Sequence, residues 1–243
     1  MHKTVIFDLD GTLYFGSNVA EEALKAIDLL RTNNIEWIYL TNNSTKTRQQ
    51  IADKLNGLGF PSDKNRIYTS AYATVQYLKS LSIEKVFLLG EEGFKDELLQ
   101  EGILSTDPDQ AEVIVVGLDF SINYNKIAQA LYAIEDLHLP LIASNTDRNF
   151  PYEKKRLKPG SNMILSAILG SLSREIDYKI IGKPSTFFLE TITKEFNLDR
   201  KKIVVVGDNI ESDIEMAKRF NCDSLLVGEQ GFTISDAKKI IDK

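Results

Sequence analysis

The 243-residue sequence has little cysteine and proline and contains no long apolar run. Its single cysteine, Cys222, excludes an intramolecular disulfide and favours a reducing compartment such as the cytoplasm. No segment approaches the roughly 20 consecutive apolar residues that a membrane-spanning helix needs. The first residues lead directly into an apolar run, without the pattern of a secretory signal peptide. We therefore expect a cytoplasmic protein that has no membrane-spanning segment.

Positive charge is also scarce. The 29 lysine and arginine residues are outnumbered by 35 aspartate and glutamate residues, which gives a formal net charge of −6. An acidic surface repels nucleic acids and anionic membranes, so we expect neither as a partner. The hydrophobic fraction of 43% is ordinary for a globular protein and is sufficient for a packed core without disulfides. These features favour a protein that acts on small molecules.

Short apolar runs rich in β-branched residues recur along the chain and alternate with helical patterns. Runs as apolar as these are typical of strands that are covered on both faces, as in a parallel sheet. Between two of them, Ala23, Ile27 and Leu30 are spaced to share one face of a helix, and Ser44 is a candidate N-cap of the next helix. Strands that alternate with helices predict an α/β fold. The predicted strands are "KTVIF", "IEWIYLT", "KVFLLG", "EVIVVGL", "LPLIASN", "YKIIG", "KKIVVVGD" and "DSLLVG".

The middle of the chain has the pattern of an α/β unit of its own. Residues 80–177 hold three candidate strands and three candidate helices, and they carry few of the chemically reactive residues discussed below. No low-complexity linker or internal repeat marks a boundary. We therefore predict a parallel-sheet core made of residues 1–79 and 178–243, with residues 80–177 inserted as a second α/β domain.

The segment "VIFDLDGTLY" ends an apolar strand with two aspartates. Asp8 and Asp10 project to the same side because residues i and i+2 of an extended segment share a face. Gly11 permits a sharp turn there, and Thr12 adds a hydroxyl group. Two carboxylates so close repel each other unless a positive charge lies between them. A helix cap is a poor explanation because the next helix begins too far downstream. An EF-hand is disfavoured because its third ligand and its flanking helices are missing. The pair is therefore interpreted as functional.

Two further segments place polar residues just after predicted strands. In "TNNST", Thr41 offers a hydroxyl, while Asn42 and Asn43 tolerate backbone angles that can turn N–H groups toward an anion. In "IIGKP", Lys183 supplies a point charge suited to a phosphate group. Each segment alone has an ordinary alternative, an Asn-rich loop or a solvated lysine. Their interpretation depends on the other motifs.

The segment "VVVGDNIESD" ends a second strongly apolar strand with an acidic pair. Asp208 follows Gly207 at the strand end, and Asp213 lies about one turn of chain later. Because the carboxyl ends of parallel strands meet at one edge of a sheet, Asp208 is predicted to lie near Asp8. Oxygen ligands of this kind suit Mg²⁺. Asp213 fits either this site or the first turn of a helix, whose dipole favours a carboxylate.

In this order, the four motifs resemble those of the haloacid dehalogenase (HAD) superfamily. They correspond to its strand followed by "DxDGT", its Thr or Ser after the second strand, its lysine and its "GDxxxxD". That resemblance implies a Rossmann-like parallel-sheet core. Four further stretches are similar to its NagD-like, 4-nitrophenylphosphatase-like branch, subclass IIA. They are "YLTNNSTKTR", "VVVGLDFSINYNKI", "IASNTDRNFP" and "IGKPSTFFLE".

The resemblance implies a chemical role for each motif residue. Asp8 would be the nucleophile that forms an aspartyl-phosphate. Asp10 would protonate the leaving alkoxide and then act as the base for the hydrolytic water. Thr41 and the backbone of Asn42 would hold phosphoryl oxygens, and Lys183 would neutralise their charge. Because an alkoxide needs a proton on leaving and a halide does not, the presence of Asp10 favours phosphate over halide chemistry.

The resemblance also implies a cofactor. Mg²⁺ would be bound by Asp8, the backbone carbonyl of Asp10 and Asp208, with Asp213 just outside the ligand set. A phosphate dianion that approaches several carboxylates is repelled unless Mg²⁺ and Lys183 offset their charge. The same offset stabilises the transition state of phosphoryl transfer.

Members of this branch carry a large α/β cap inserted between the Thr and Lys motifs, which agrees with the block at 80–177. The cap would read the leaving group, and it is also the surface through which relatives dimerise, so a homodimer through the cap is expected. In "SNTDRNFP", residues 144–151, Asp147 and Arg148 are candidate specificity residues. A plain turn rich in Asn and Asp is the alternative.

The leading hypothesis is a Mg²⁺-dependent hydrolase of small phosphorylated metabolites. The candidate substrates are sugar phosphates, nucleotides, pyridoxal phosphate, glycerol phosphate and phosphoglycolate, with 4-nitrophenyl phosphate as an artificial one. A mutase that transfers the phosphoryl group shares all four motifs. A non-catalytic phosphate sensor is the third possibility, although such a protein would normally have lost Asp8 or Asp10. A receiver domain is disfavoured, because its phosphorylated aspartate lies on the third strand and it has about half this length.

Overall fold

The structure is a computed structural model that describes residues 4–151 and 156–242. The chain forms two compact units. The first unit comprises the residues up to Thr41, the segment Arg48–Tyr68 and the residues from Lys183 onward. The second unit comprises Asn42–Thr47 and Thr69–Gly182.

Strands and helices alternate along the chain, as the apolar runs predict. Within the described residues the strands are β1 (Thr4–Phe7), β2 (Tyr14–Phe15), β3 (Asn18–Val19), β4 (Glu36–Thr41), β5 (Ile67–Thr69), β6 (Lys85–Leu89), β7 (Leu104–Ser105), β8 (Val113–Val116), β9 (Leu141–Ala143), β10 (Asn149–Pro151), β11 (Leu157–Pro159), β12 (Tyr178–Ile180), β13 (Ile203–Gly207) and β14 (Asp223–Leu226). The α-helices there are α1 (Ala23–Thr32), α2 (Arg48–Gly57), α3 (Ser70–Ser80), α4 (Glu92–Gln100), α5 (Tyr124–Glu135), α6 (Asn162–Leu169), α7 (Phe187–Glu195), α8 (Glu215–Phe220) and α9 (Ile234–Asp242). No helix within these described ranges is long and apolar enough to cross a membrane.

The first unit is built on a five-stranded sheet in the order β14-β13-β1-β4-β5. Strand β1 pairs in parallel with β13 and with β4, and β13 pairs in parallel with β14. Every residue of β1 and of β13 is buried, because both strands lie in the interior of the sheet with helices in the same unit to cover them. Phe7 of β1 packs edge-to-face on Phe232, with ring centroids 4.8 Å apart. This packing fixes the carboxyl end of β1, where the first acidic motif begins.

The second unit has its own five-stranded sheet, in the order β12-β9-β8-β6-β7. All four strand pairs in it are parallel. Strand β8 is fully buried at the centre of the sheet. A short antiparallel pair, β10 with β11, follows strand β9 in the chain. The predicted α/β fold with parallel sheets is therefore confirmed.

The bounds of the two units differ from those predicted from the sequence. The second unit begins its main segment at Thr69 rather than at residue 80, because helix α3 packs against α4 of that unit. It ends at Gly182 rather than at 177, because strand β12 pairs with β9. The roles of catalytic core and specificity cap stay predictions.

Most local predictions agree with the structure, and the exceptions are short segments. All eight apolar runs form strands, and Ala23, Ile27 and Leu30 are buried on helix α1. Six of the described strands were not predicted, because two or three residues are too few for a periodic pattern: β2, β3, β5, β7, β10 and β11. The prediction that Ser44 caps the next helix is wrong. That helix begins at Arg48, and the Ser44 hydroxyl accepts a hydrogen bond from the N–H of Leu118 instead.

Helix α1 provides a matched test of which apolar side chains hold the first unit together. Leu30 is fully buried, whereas Leu24 is 38% exposed on the same helix. We expect Leu30→Ala to lower the free energy of unfolding by about 2–5 kcal/mol, because it leaves a cavity. Leu24→Ala should cost only about 0.5 kcal/mol. Urea denaturation followed by the fluorescence of Trp37, the sole tryptophan, which packs against this core, measures both. Equal losses in the two variants would contradict this picture of the core.

Candidate active site

Three motif residues lie at the carboxyl edge of the first unit's sheet. Strand β1 pairs with β13 on one side and β4 on the other, so that Phe7 lies opposite Val206 and Tyr39. Asp8 follows β1 directly, Asp208 follows β13, and Thr41 is the last residue of β4. Parallel strands end at one edge, which is where ligands bind in open α/β sheets. The structure therefore brings these three residues to the predicted edge.

A buried lysine joins two of the acidic motifs. The Lys183 ammonium donates hydrogen bonds to Asp8 Oδ1 at 2.5 Å and to Asp213 Oδ1 at 2.6 Å. Lys183 is only 4% exposed and Asp213 only 1%. The other oxygen of Asp213 accepts the backbone N–H of Asn209 at 3.1 Å. Asp213 is thus part of this buried charge cluster. It also lies in the first turn of the helical segment Ile210–Ile214, so it meets both of the alternatives that the sequence left open.

The cluster has more negative than positive charge. Ligand oxygens of Asp8, Asp208 and Asp213 lie within 4.8 Å of one another. Burial raises the pKa of Asp8 to about 8; the nearby Asp213 and Asp208 act in the same direction, and Lys183 opposes them. Burial and the Asp213 charge also raise the pKa of Asp208. Such carboxylates resist ionising together without a further cation. Their all-oxygen donor set fits a hard divalent ion such as Mg²⁺.

Two glycines make room for the carboxylates. A Cβ atom on Gly11 would lie 2.3 Å from Asp208 Oδ2, and the φ of Gly11 is +90°, which side chains rarely adopt. A Cβ atom on Gly207 would lie 2.3 Å from Asp213 Oδ2. The sequence indicated the turn at Gly11 but not these close approaches. Both glycines are needed for the carboxylates to converge.

Asp10 has a separate environment from the cluster. Its side chain reaches solvent, and its Oδ2 accepts a hydrogen bond from the buried Tyr14 hydroxyl at 3.1 Å. The Lys54 ammonium lies 3.8 Å from the centroid of the Tyr14 ring. Partial removal of water raises the pKa of Asp10, while Lys54 and the Tyr14 hydrogen bond act to lower it. A carboxyl with a raised pKa suits acid–base catalysis. Tyr14 and Lys54 were not predicted, because nothing in their spacing distinguishes them from ordinary core and surface residues.

The remaining candidates belong to the second unit. The Asn42 side-chain amide donates a hydrogen bond to Asp147 Oδ1 at 2.9 Å, so two predicted residues 105 positions apart are in contact. Arg148 lies exposed on the same turn. The predicted substrate-contacting roles of Asp147 and Arg148 stay predictions.

Comparison with known proteins agrees with this geometry. The family model of the haloacid dehalogenase-like hydrolases matches residues 5–104, and a second model of HAD-like hydrolases matches residues 180–242. A 4-nitrophenylphosphatase of Schizosaccharomyces pombe is 32% identical, with 98% of this chain and 86% of the relative covered. An acid sugar phosphatase of Staphylococcus saprophyticus is also 32% identical, over 93% of this chain and 86% of the relative.

Solved structures give the same result. A p-nitrophenyl phosphatase from Archaeoglobus fulgidus superposes with a TM-score of 0.87 at 31% identity, covering 99% of this chain and 92% of that chain. The shared fold, the matched motifs and the relatives' activities agree with one another. The chain therefore belongs to the haloacid dehalogenase family, as a phosphatase of its 4-nitrophenylphosphatase-like, NagD-like branch.

Proposed function

We propose that the protein is a Mg²⁺-dependent phosphatase that hydrolyses small phosphomonoesters through an aspartyl-phosphate on Asp8. The observation that carries this proposal is the buried Lys183 ammonium between Asp8 and Asp213, beside the carboxylate of Asp208. A lysine held in this way orients one carboxylate and presents positive charge where a phosphate dianion would otherwise be repelled.

Asp8 is the proposed nucleophile. Its Oδ1 is held by Lys183, and its Oδ2 lies 3.4 Å from the Thr12 hydroxyl, so the carboxylate has a fixed orientation at the end of β1. One oxygen attacks phosphorus and the ester oxygen leaves, which gives an aspartyl-phosphate that water then hydrolyses. Asp8, the backbone carbonyl of Asp10 and Asp208 would hold Mg²⁺, which supplies positive charge that keeps Asp8 ionised and offsets the phosphoryl charge. Asp213 would act beside this ligand set, through Lys183.

Asp10 is the proposed general acid and base. Its raised pKa lets it carry a proton to the leaving alkoxide, after which it takes a proton from the attacking water. Hydrogen bonds from the Tyr14 hydroxyl and from the backbone of Gly16 orient this carboxyl group. Thr41 and the backbone N–H of Asn42 would bind phosphoryl oxygens, together with Lys183.

The proposed substrate is a small phosphorylated metabolite of the sugar phosphate, nucleotide, pyridoxal phosphate, glycerol phosphate or phosphoglycolate type. Similarity to an acid sugar phosphatase and to a 5'-nucleotidase of Bacillus subtilis supports the sugar phosphate and nucleotide classes, and similarity to a 4-nitrophenylphosphatase supports 4-nitrophenyl phosphate as an artificial substrate. The second unit would serve as the cap that recognises the leaving group. We also propose that the protein forms a homodimer through this unit and acts in the cytoplasm.

A phosphate-release assay over these compounds and 4-nitrophenyl phosphate, with and without Mg²⁺, tests the function. Metal-dependent release is expected, and no release from any compound would overturn it.

Replacing the nucleophile should abolish turnover without unfolding the protein. Asp8→Asn keeps the side-chain volume but removes the attacking carboxylate, so kcat should fall on the order of 10³-fold or more. Asp28→Asn, at an exposed carboxylate on helix α1 paired with Arg31, is the matched control and should keep full activity. Circular dichroism checks the fold of both variants. An Asp8→Asn enzyme with normal kcat would remove Asp8 as the nucleophile.

Replacing Asp10 should separate the two halves of the reaction. 4-Nitrophenolate leaves without needing a proton, so Asp10→Asn should still transfer the phosphoryl group from 4-nitrophenyl phosphate to Asp8. Hydrolysis of the aspartyl-phosphate should then be slow, because the base for water is missing. Rapid-mixing absorbance should show a stoichiometric burst of 4-nitrophenolate followed by slow turnover. If steady-state turnover is unchanged for both aryl and alkyl phosphates, Asp10 has no acid–base role.

Metal exchange should affect activity through the acidic cluster. Chelation should abolish activity, Mg²⁺ should restore it, and Ca²⁺ should not, because it is larger and takes more ligands. Asp208→Asn should raise the Mg²⁺ concentration that gives half-maximal activity. Glu211→Gln, at an exposed carboxylate outside the cluster, should leave that concentration unchanged. Full activity of the chelated wild-type enzyme would show that the cluster is not a required metal site.

A further inference from the structure

The segment that follows Thr41 is held by a hydrogen-bond network within the second unit. Asn43 Oδ1 accepts the backbone N–H groups of Thr45 and Lys46, which fixes a tight turn. The next hydroxyl, Ser44 Oγ, accepts the N–H of Leu118 at 3.0 Å. The turn that begins at Asn42 is therefore held in place by Leu118, a distant residue of the same unit.

Asn42 itself is fixed at two points. Its backbone carbonyl accepts hydrogen bonds from Ser70 Oγ at 2.7 Å and from Asn145 Nδ2 at 2.9 Å. Its side-chain amide donates to Asp147 Oδ1 at 2.9 Å. Asn42, Asn145 and Ser70 are all buried, with exposed fractions of 8%, 3% and 0%. When the carbonyl and the side chain of a residue are both held, the tetrahedral Cα fixes the position of its backbone nitrogen. The preceding residue, Thr41 at the end of β4, sets the rotation about the N–Cα bond that directs the N–H.

The surrounding backbone packs closely against this network. A Cβ atom on Gly182 would lie 2.6 Å from Asn42 Oδ1, and one on Gly160 would lie 2.1 Å from the carbonyl oxygen of Asp147. The same Asp147 carbonyl accepts the N–H of Asn162 at 3.1 Å. Asn145 is held in turn by Ser161, which donates to its carbonyl oxygen at 3.0 Å. The backbones of Gly182 and Gly160 therefore lie directly against Asn42 and Asp147.

We propose that Asp147 and Asn145 are positioning residues that hold the backbone nitrogen of Asn42 in place, so that its N–H can bind a phosphoryl oxygen. This inference rests on the proposed function, in which that N–H binds a phosphoryl oxygen. It gives Asp147 a role that is independent of the leaving group, unlike the specificity role that its place in the turn predicts. Asp147 acts only through Asn42 and contacts no reacting atom in this proposal.

The chemistry of the contact makes Asp147 the member to test. A carboxylate accepts a stronger hydrogen bond from an amide than a neutral oxygen does. Its removal leaves a buried amide donor without that acceptor, so the Asn42 side chain gains freedom and its backbone nitrogen is held less firmly. A small displacement of a group that binds the transition state lowers rate by about 10- to 100-fold.

The test compares binding of inorganic phosphate with turnover of two substrates. We expect Asp147→Ala to weaken phosphate binding, measured by calorimetry with Mg²⁺ present, by about 10-fold or more. It should lower kcat/KM by the same factor for 4-nitrophenyl phosphate and for an alkyl phosphate. Asp147→Asn, which keeps an acceptor oxygen, should recover most of both. Unchanged phosphate affinity with altered preference between the two substrates would overturn the proposal and return Asp147 to leaving-group recognition.

A double-mutant cycle tests whether Asp147 acts through Asn42. Asn42→Ala keeps the backbone N–H but removes the amide that Asp147 holds. In that background, Asp147→Ala should have less than about a twofold further effect on phosphate affinity, because the contact is already gone. Independent, multiplicative losses would contradict the proposal. Asn149→Ala, at an exposed side chain two residues further along, is the control and should leave both readouts unchanged.

The same measurements separate this inference from the proposed function. If the wild type binds phosphate in an Asp147-dependent manner but hydrolyses no ester, the positioning role stands and the hydrolase function fails. If the wild type binds and hydrolyses while Asp147→Ala is indistinguishable from it, the positioning role fails and the function stands. A wild type that neither binds phosphate nor turns over an ester overturns both.

Discussion

The site depends on one buried interaction, the Lys183 ammonium shared between Asp8 and Asp213. Burial alone would favour a neutral lysine, but the two carboxylates outweigh it and raise the pKa of Lys183, so the ammonium is retained. Removing one partner of such a buried pair typically costs about 3–5 kcal/mol, because an uncompensated charge stays behind. The close approaches at Gly11 and Gly207 follow from this constraint, since three carboxylates must reach one small volume. Stability and chemistry are therefore linked at this edge of the sheet.

Much of the fold and part of the site could be predicted because they follow from periodicity. Fully apolar runs predicted buried parallel strands, and residues that directly follow such strands, Asp8 and Asp208, are at the expected edge. Contacts that depend on side-chain packing gave no periodic signal. The Tyr14 hydroxyl on Asp10 and the contact of Asn42 with Asp147 are of this kind, the latter across 105 positions. The sequence likewise gives no sign that helix α3 belongs to the second compact unit, because only packing assigns it there.

Thr41 and Asn42, the proposed phosphate-binding residues, are neighbours along the chain but have different environments. Thr41 ends a strand of the first unit, whereas Asn42 belongs to the second unit and is held there by Asn145, Asp147 and Ser70. In the proposed account, the turn at 144–147 therefore contributes to holding phosphate as well as to any contact with the leaving group.

The central claim is that phosphoryl transfer takes place on the carboxylate of Asp8. Quenching the enzyme during turnover of 4-nitrophenyl phosphate with Mg²⁺, and reducing it with borohydride, converts an aspartyl-phosphate to homoserine at that position. Peptide mass spectrometry should find homoserine at residue 8 and at no other aspartate, and none in enzyme quenched without substrate. Turnover with unmodified Asp8, or with the modification at another residue, would contradict the account.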